Sequence, residues 1–136
     1  MSGVHVRMRL GTEHYALPVE NVREIVDAGD ISPLPGSSAL VLGVRNLRGQ
    51  VLPIFSLAAL FGIATAERPA RLVVAEAGSK RAGLAIDEVT DVGELPPASE
   101  AAESEFLSGS ALDDGCLVGV IDVDRVFAAL EEGAPR

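Results

Sequence analysis

The chain of 136 residues has no tryptophan, few aromatic residues, one cysteine and two histidines. A single cysteine excludes an intrachain disulfide and any metal site built from several cysteines. Cys116 opens an apolar run that ends at Ile121, which predicts a buried, unreactive thiol. His5 and His14 lie in the first predicted hairpin, where their spacing could place them near each other, but no carboxylate or cysteine completes a metal set with them. We therefore expect exposed histidines on strands and no metal.

Positive charge is also scarce, because 11 Lys and Arg stand against 20 Asp and Glu, a formal net charge of −9. This balance argues against partners with a phosphate backbone and against anionic membrane surfaces. No apolar run approaches the roughly 20 residues that a membrane-spanning helix needs. The first four residues lack the basic and apolar regions of a signal peptide. The sequence thus predicts a cytoplasmic protein that binds no nucleic acid and does not insert into membranes.

The patterns that mark catalytic sites are missing. No serine lies in a Gly-x-Ser-x-Gly elbow, and no glycine-rich segment has the spacing of a phosphate-binding loop. The carboxylates of Asp87, Glu88 and Asp91 have no histidine or lysine close in sequence to share acid–base work, so we interpret them as a solvated strand edge. The prediction is a protein that is not an enzyme and carries no cofactor.

The sequence is rich in short apolar runs separated by turn residues. Val4 to Leu10 alternates apolar and polar positions as a half-buried strand does, and Asp113-Asp114-Gly115 is a strong hairpin signal. Ser56 is placed to cap a short helix over Leu57 to Phe61 that Gly62 ends. About ten such strands predict an all-β fold with short helices, either a sandwich or barrels.

The most distinctive segment is the turn Asn46-Leu47-Arg48-Gly49 between two apolar runs. Gly49 is the residue best suited to a positive φ there. A fixed guanidinium at such a turn can hold a carboxylate or a partner. Glu24 is the candidate partner of Arg48 across the fold, and the alternative is that both are ordinary solvated charges. Together these features favour a protein-binding function.

Four motifs in order give the chain a resemblance to the CheW-like chemotaxis adaptor family, from about Val4 to Leu130. The matching pieces are His14-Tyr15-Ala16-Leu17-Pro18-Val19 with Val22-Arg23-Glu24-Ile25, Gly43-Val44-Arg45-Asn46-Leu47-Arg48-Gly49 with Val51-Leu52-Pro53-Ile54, Gly83-Leu84-Ala85-Ile86-Asp87-Glu88-Val89, and Phe106-Leu107-Ser108-Gly109 with Val120-Ile121-Asp122-Val123.

The resemblance implies a single CheW-like domain over residues 1–136, built of two SH3-like five-stranded β-barrels. Its approximate lobes are residues 1–66 and 67–136, with possible exchange of strands between them. The resemblance further implies a non-catalytic adaptor, monomeric in isolation, that assembles into arrays on the inner face of the membrane. It would couple the cytoplasmic hairpin tip of chemoreceptors to the regulatory domain of a CheA-type histidine kinase.

The motif matches carry a receptor-binding role onto five residues: Val22, Glu24, Gly43, Arg48 and Gly49. Within this set, Glu24 and Arg48 are the expected structuring pair. The sequence departs from the family at Ser56, where members usually carry Asp, and in the acidic stretch from Pro96 to Glu105. Two alternatives stay open: a coupling protein of another chemosensory pathway, such as pilus-driven motility, or a β-barrel sensor that binds a small ligand.

Overall fold

The computed structural model describes residues 3–36, 38–64, 69–99 and 104–133. Within these ranges the protein forms ten strands, one 3₁₀ turn (Val19–Asn21) and two helices. In chain order they are β1 (Val4–Leu10), β2 (Glu13–Pro18), β3 (Val22–Asp27), β4 (Val41–Leu47), β5 (Gln50–Ser56), α1 (Leu57–Phe61), β6 (Arg71–Ala77), β7 (Lys80–Ile86), β8 (Glu88–Glu94), β9 (Leu107–Asp113), β10 (Cys116–Ile121) and α2 (Val123–Gly133).

The strands form two five-stranded sheets. The first sheet has the order β8-β1-β2-β10-β9 and the second the order β3-β6-β7-β5-β4. Most neighbours are antiparallel, but β2 lies parallel to β10 and β5 parallel to β7. Strands from both sides of the predicted boundary at residues 66 and 67 share each sheet, and the boundary itself falls outside the described residues. The division into lobes by chain position therefore differs from the division into sheets.

Each sheet curls until the segment after one edge strand meets the opposite edge. In the second sheet, Ser32 and Val44 exchange backbone hydrogen bonds of 2.8 and 2.9 Å, which joins the chain beyond β3 to β4. In the first sheet, Ser99 and Ser110 exchange bonds of 2.8 and 3.3 Å, which joins the chain beyond β8 to β9. The predicted all-β fold of two five-stranded units with short helices is confirmed.

The buried apolar side chains form three clusters. A small cluster fills each curled sheet: Ala16, Leu95, Val118 and Val120 in the first, and Ala28, Leu52, Ile54, Leu72, Val74 and Ala85 in the second. The largest cluster lies between the sheets, where α2 packs residues such as Phe127 and Leu130 against both. Because the two units share this cluster, neither sheet buries all of its apolar surface alone.

Both helices begin where a side chain accepts a hydrogen bond from a free backbone N–H. The Ser56 hydroxyl accepts a hydrogen bond from the Ala59 N–H at 3.0 Å, and Gly62 ends α1 with φ of 70°. The Asp122 carboxylate accepts from the Arg125 N–H at 3.1 Å, so it caps α2. The predicted bounds of α1 are confirmed, since capping is a local interaction that sequence spacing reveals.

Candidate protein-binding site

The turn that joins β4 to β5 has a rare backbone conformation. Arg48 has φ of 51° and Gly49 has φ of 83°, so both central residues are left-handed, as a type I′ hairpin requires. The Asn46 side-chain oxygen accepts a hydrogen bond from the Gly49 N–H at 2.9 Å. The predicted positive φ of Gly49 is correct. A positive φ at Arg48 was not predicted, because arginine disfavours this conformation.

The Arg48 guanidinium donates a hydrogen bond to the Glu24 carboxylate. The Arg48 side chain is 67% exposed and that of Glu24 is 26% exposed, so the pair lies at the surface. A bulge between Val22 and Glu24 shifts the register of β3 against β6. Bulges re-aim side chains, and here Glu24 ends beside the hairpin tip. An exposed pair of this kind contributes about 0–1 kcal/mol, so its main effect is to orient the arginine.

The Arg48–Glu24 contact belongs to a line of contacts that closes the second sheet, between β3 with the loop after it (residues 24–32) and β4 with its turn (residues 43–48). We call this line the seam. Further along the seam, Arg45 donates hydrogen bonds to the backbone oxygens of Asp27 and Ala28, the second at 3.1 Å. Gly29 has φ of 59° and leaves room for that guanidinium, because a Cβ there would lie 2.9 Å from its central carbon. The Ser32–Val44 bridge completes the seam.

The structure places the five candidate receptor-binding residues along this seam. Glu24, Arg48 and Gly49 meet at its open end. Val22 lies two residues from Glu24, half-buried against the central cluster. Gly43 is buried, with φ of 147°, and a Cβ there would collide with the Ser32 carbonyl oxygen. Its direct role is to let the loop pass over β4.

Sequence reasoning missed Arg45 and the side chain of Asn46 as members of the site. Asn46 was detectable, since Asn side chains often bond a backbone N–H a few residues later at turns. Arg45 was not, because its hydrogen-bond acceptors are carbonyls 17 and 18 residues away whose position depends on the closure of the sheet.

Several other sequence predictions need correction. Cys116 is half-buried, because the first residue of its run lies beside a turn. Both histidines are half-buried and lie at opposite ends of the β1–β2 hairpin, where His5 pairs with Pro18 and His14 with Arg9. Asp87 is not at a solvated edge: its side chain is 14% exposed and accepts a hydrogen bond from the Gly11 N–H at 2.7 Å.

Within the described part of the chain, no group of three or more His, Cys, Asp or Glu side chains is arranged to hold a metal ion. Among the same residues, no helix has the length and apolar character that crossing a membrane requires.

Comparison with known proteins identifies the family. A CheW-like domain model matches residues 5–131. The chain is 32% identical to the chemotaxis protein CheW of Rhizobium meliloti over 139 residues, which cover 95% of this chain and 90% of that protein. It is 31% identical to the protein PilI of Pseudomonas aeruginosa over 114 residues, covering 76% of this chain and 64% of PilI.

The crystal structure of the scaffolding protein TtCheW from Thermoanaerobacter tengcongensis superposes with a TM-score of 0.79. The match has 27% sequence identity and covers 90% of each chain. The fold of two curled sheets, the family model and the relatives all indicate the same family. The chain belongs to the CheW-like family and is a non-catalytic scaffold or adaptor of chemosensory signalling.

Proposed function

We propose that this adaptor binds the cytoplasmic hairpin tip of a chemoreceptor through the open end of the seam and couples it to the regulatory domain of a CheA-type histidine kinase. The receptor-side residues are Val22, Glu24, Arg48 and Gly49, with Gly43 supporting the hairpin from beneath. Assembly of these contacts would hold the protein, a monomer in isolation, in receptor arrays on the cytoplasmic side of the membrane.

The observation that carries the proposal is the conformation of Arg48. A non-glycine residue with left-handed backbone costs on the order of 1–3 kcal/mol, and such residues cluster at functional sites. Asn or Gly at this position would make a better turn. Yet the chain places a long cation there, exposes it and fixes it with Glu24. This arrangement suits recognition of a partner helix by a few fixed charges beside apolar anchors.

The direct test replaces Arg48 by Glu and measures binding of a purified receptor cytoplasmic hairpin. We expect at least about a tenfold loss of affinity, since reversing a charge at an interface puts like charges together. The far-UV circular dichroism spectrum should stay unchanged. The matched control is Lys80→Glu, which reverses another exposed cation that is held in an ion pair, with Glu131 at 2.7 Å.

A double variant separates orientation from charge. Glu24→Arg combined with Arg48→Glu restores an ion pair but inverts its direction. If the receptor binds through the Arg48 charge, the double variant stays weak. Full recovery would show that only the hairpin shape matters, and unfolding of Arg48→Glu would show that Arg48 is structural. Either result would remove Arg48 from the receptor-binding set.

A second candidate function is coupling in a chemosensory pathway other than flagellar chemotaxis. The similarity to PilI and to the protein FrzA of Myxococcus xanthus, 36% identical over 92 residues, favours it. Binding assays against the regulatory domain of the kinase encoded nearest to this gene, and against that of a flagellar CheA, would decide between the two pathways.

A further inference from the structure

A groove on the first sheet lies away from the proposed receptor site. Two adjoining cavities of about 380 and 510 Å³ share Glu13, Tyr15 and Leu107 in their walls. The turn at Arg48 stands at one end of β5 and α1 at the other. Seven strand residues, about 23 Å at the usual rise, separate them. The groove borders α1, so it is a different surface.

The floor of the groove is apolar and shaped by a glycine. Tyr15 lies opposite Gly119 in the parallel pairing of β2 with β10. A Cβ at Gly119 would come within 3.0 Å of both the Tyr15 ring and the Leu107 side chain. Because Gly119 has no side chain, Tyr15 and Leu107 occupy the space above it, and the three residues line the floor of the groove.

Each end of the groove has apolar side chains. At one end Leu112 and Leu117 lie directly opposite each other across β9 and β10 and are 67% and 59% exposed. At the other end Phe61 stacks on Tyr15 with ring centroids 4.6 Å apart, and Phe106 meets Phe61 edge-on at 6.0 Å. An exposed apolar surface that includes aromatic side chains is typical of protein-binding sites.

The rim of the groove is acidic. Glu13 and Glu105 border the second cavity, both are exposed, and neither forms a salt bridge within the described part of the chain. Arg125, next to Glu105, is bound to the Asp122 carboxylate at 3.4 Å and to the Glu105 backbone oxygen at 3.2 Å. The carboxylates thus give the rim a negative charge that a cationic partner would complement.

We propose that this groove binds an amphipathic helix whose apolar anchors are flanked by Lys or Arg. Leu117 and Gly119 are two residues apart on β10, about 7 Å at the usual rise. Residues at positions i and i+4 of a helix are separated by about 6 Å along its axis. One anchor would pack on the Leu112–Leu117 pair and the next over Tyr15, while the basic residues face Glu13 and Glu105.

The test uses a capped 18-residue helical peptide with leucines at i, i+4 and i+7 and lysines on the flanks. A matched peptide carries glutamates in place of the lysines. Cys116 lines the same groove and is the only cysteine of the chain, so its rate of reaction with a thiol reagent reports occupancy. Peptide affinity is measured by fluorescence anisotropy on the full chain.

We expect the lysine peptide to bind, to slow the reaction of Cys116, and to bind at least about tenfold more tightly than the glutamate peptide. Leu112→Ser with Leu117→Ser, and separately Glu13→Lys with Glu105→Lys, should each weaken binding by at least about fivefold. The matched controls are Val51→Ser, on the other hairpin and 62% exposed, and Glu94→Lys, also exposed.

Four outcomes would overturn the proposal. The two peptides could bind equally, the groove variants could bind like the controls, or Cys116 could react at the same rate with and without peptide. Sedimentation that shows self-association lost in the leucine variants would assign the groove to a second copy of the chain instead. The Arg48→Glu variant should bind the lysine peptide normally, which separates this site from the receptor site.

Discussion

The two sheets carry hairpins in equivalent places that differ in charge and exposure. The β4–β5 turn contains Arg48-Gly49 and the β9–β10 turn Asp114-Gly115, and all four residues have positive φ. Asp adopts this conformation several times more readily than Arg does. The second hairpin therefore follows the usual turn chemistry and the first departs from it. The departure supports the proposal that Arg48 serves receptor binding, since the turn itself does not favour arginine.

The ion pairs beside the two hairpins differ in the same way. Arg7 of β1 donates a hydrogen bond of 2.7 Å to Asp113 at the second hairpin, and the Arg7 side chain is only 15% exposed. At the first hairpin the cation lies on the tip and is 67% exposed. One pair fastens the fold and the other presents a charge to solvent, although both connect a hairpin to a distant strand.

The largest expected effect concerns the two glycines beneath the closing loops, Gly43 and Gly109. In both, a Cβ would collide with the carbonyl oxygen of a crossing loop, at Ser32 and at Ser99. Gly109→Ala should lower the free energy of unfolding by about 1–3 kcal/mol through overpacking. Gly43→Ala should lower the free energy of unfolding by about 1–2 kcal/mol more than Gly109→Ala, because Gly43 has a positive φ and Gly109 does not.

Urea unfolding measures these losses, and two other glycines separate the two causes. Gly62 has a positive φ but open space, and Gly3 has open space and no positive φ. Gly62→Ala should show the conformational cost alone, and Gly3→Ala should be neutral. Equal losses at Gly43 and Gly109 would contradict the assigned conformational difference between the two loops.

The next effect compares the two ion pairs by matched neutralisation. Asp113→Asn leaves the half-buried Arg7 without its counter-charge and should lower the free energy of unfolding by about 1.5–3 kcal/mol. Glu24→Gln should cost only about 0–1 kcal/mol, because that pair is exposed. Urea titrations at low and at high NaCl check both values, since salt should erase the small effect more completely. Similar losses in the two variants would argue against different roles for the pairs.

The smallest effect tests the strain at Arg48. Arg48→Asn should raise the free energy of unfolding by up to about 1 kcal/mol, because Asn tolerates a left-handed backbone better than Arg. Asp114→Asn, which places Asn at the matching position of the other hairpin, should leave the free energy of unfolding almost unchanged. Thermal unfolding measures both, and receptor binding by Arg48→Asn should fall. A less stable Arg48→Asn protein would mean that the Glu24 contact outweighs the strain.

Local features of this protein were predictable from sequence and long-range ones were not. Ser56 begins α1 and Gly62 ends it, through contacts with residues three or four positions away. The Asp114-Gly115 turn follows from residue type alone. The parallel pairing of β5 with β7 depends on tertiary packing. Asp87 was misjudged for a related reason, because its partner Gly11 is 76 residues away.

The candidate site also has one part that the sequence predicted and one part that it did not. Glu24 and Arg48 were paired as a hypothesis, and the structure brings their side chains into contact. Their assignment to receptor binding remains a prediction. The hydrogen bonds from Arg45 that fasten the same seam had no sequence signal, since backbone carbonyls are present at every residue and only the fold selects which ones are met.

The order of strands in the sheets has a consequence for synthesis. The second sheet uses a continuous stretch of chain, residues 22–86, whereas the first joins β1 and β2 to β9 and β10. A nascent chain that has emerged as far as Glu94 holds every strand of the second sheet but only three of the first. During synthesis, β2 must therefore wait for β10, and its parallel edge stays unpaired until β10 has emerged from the ribosome.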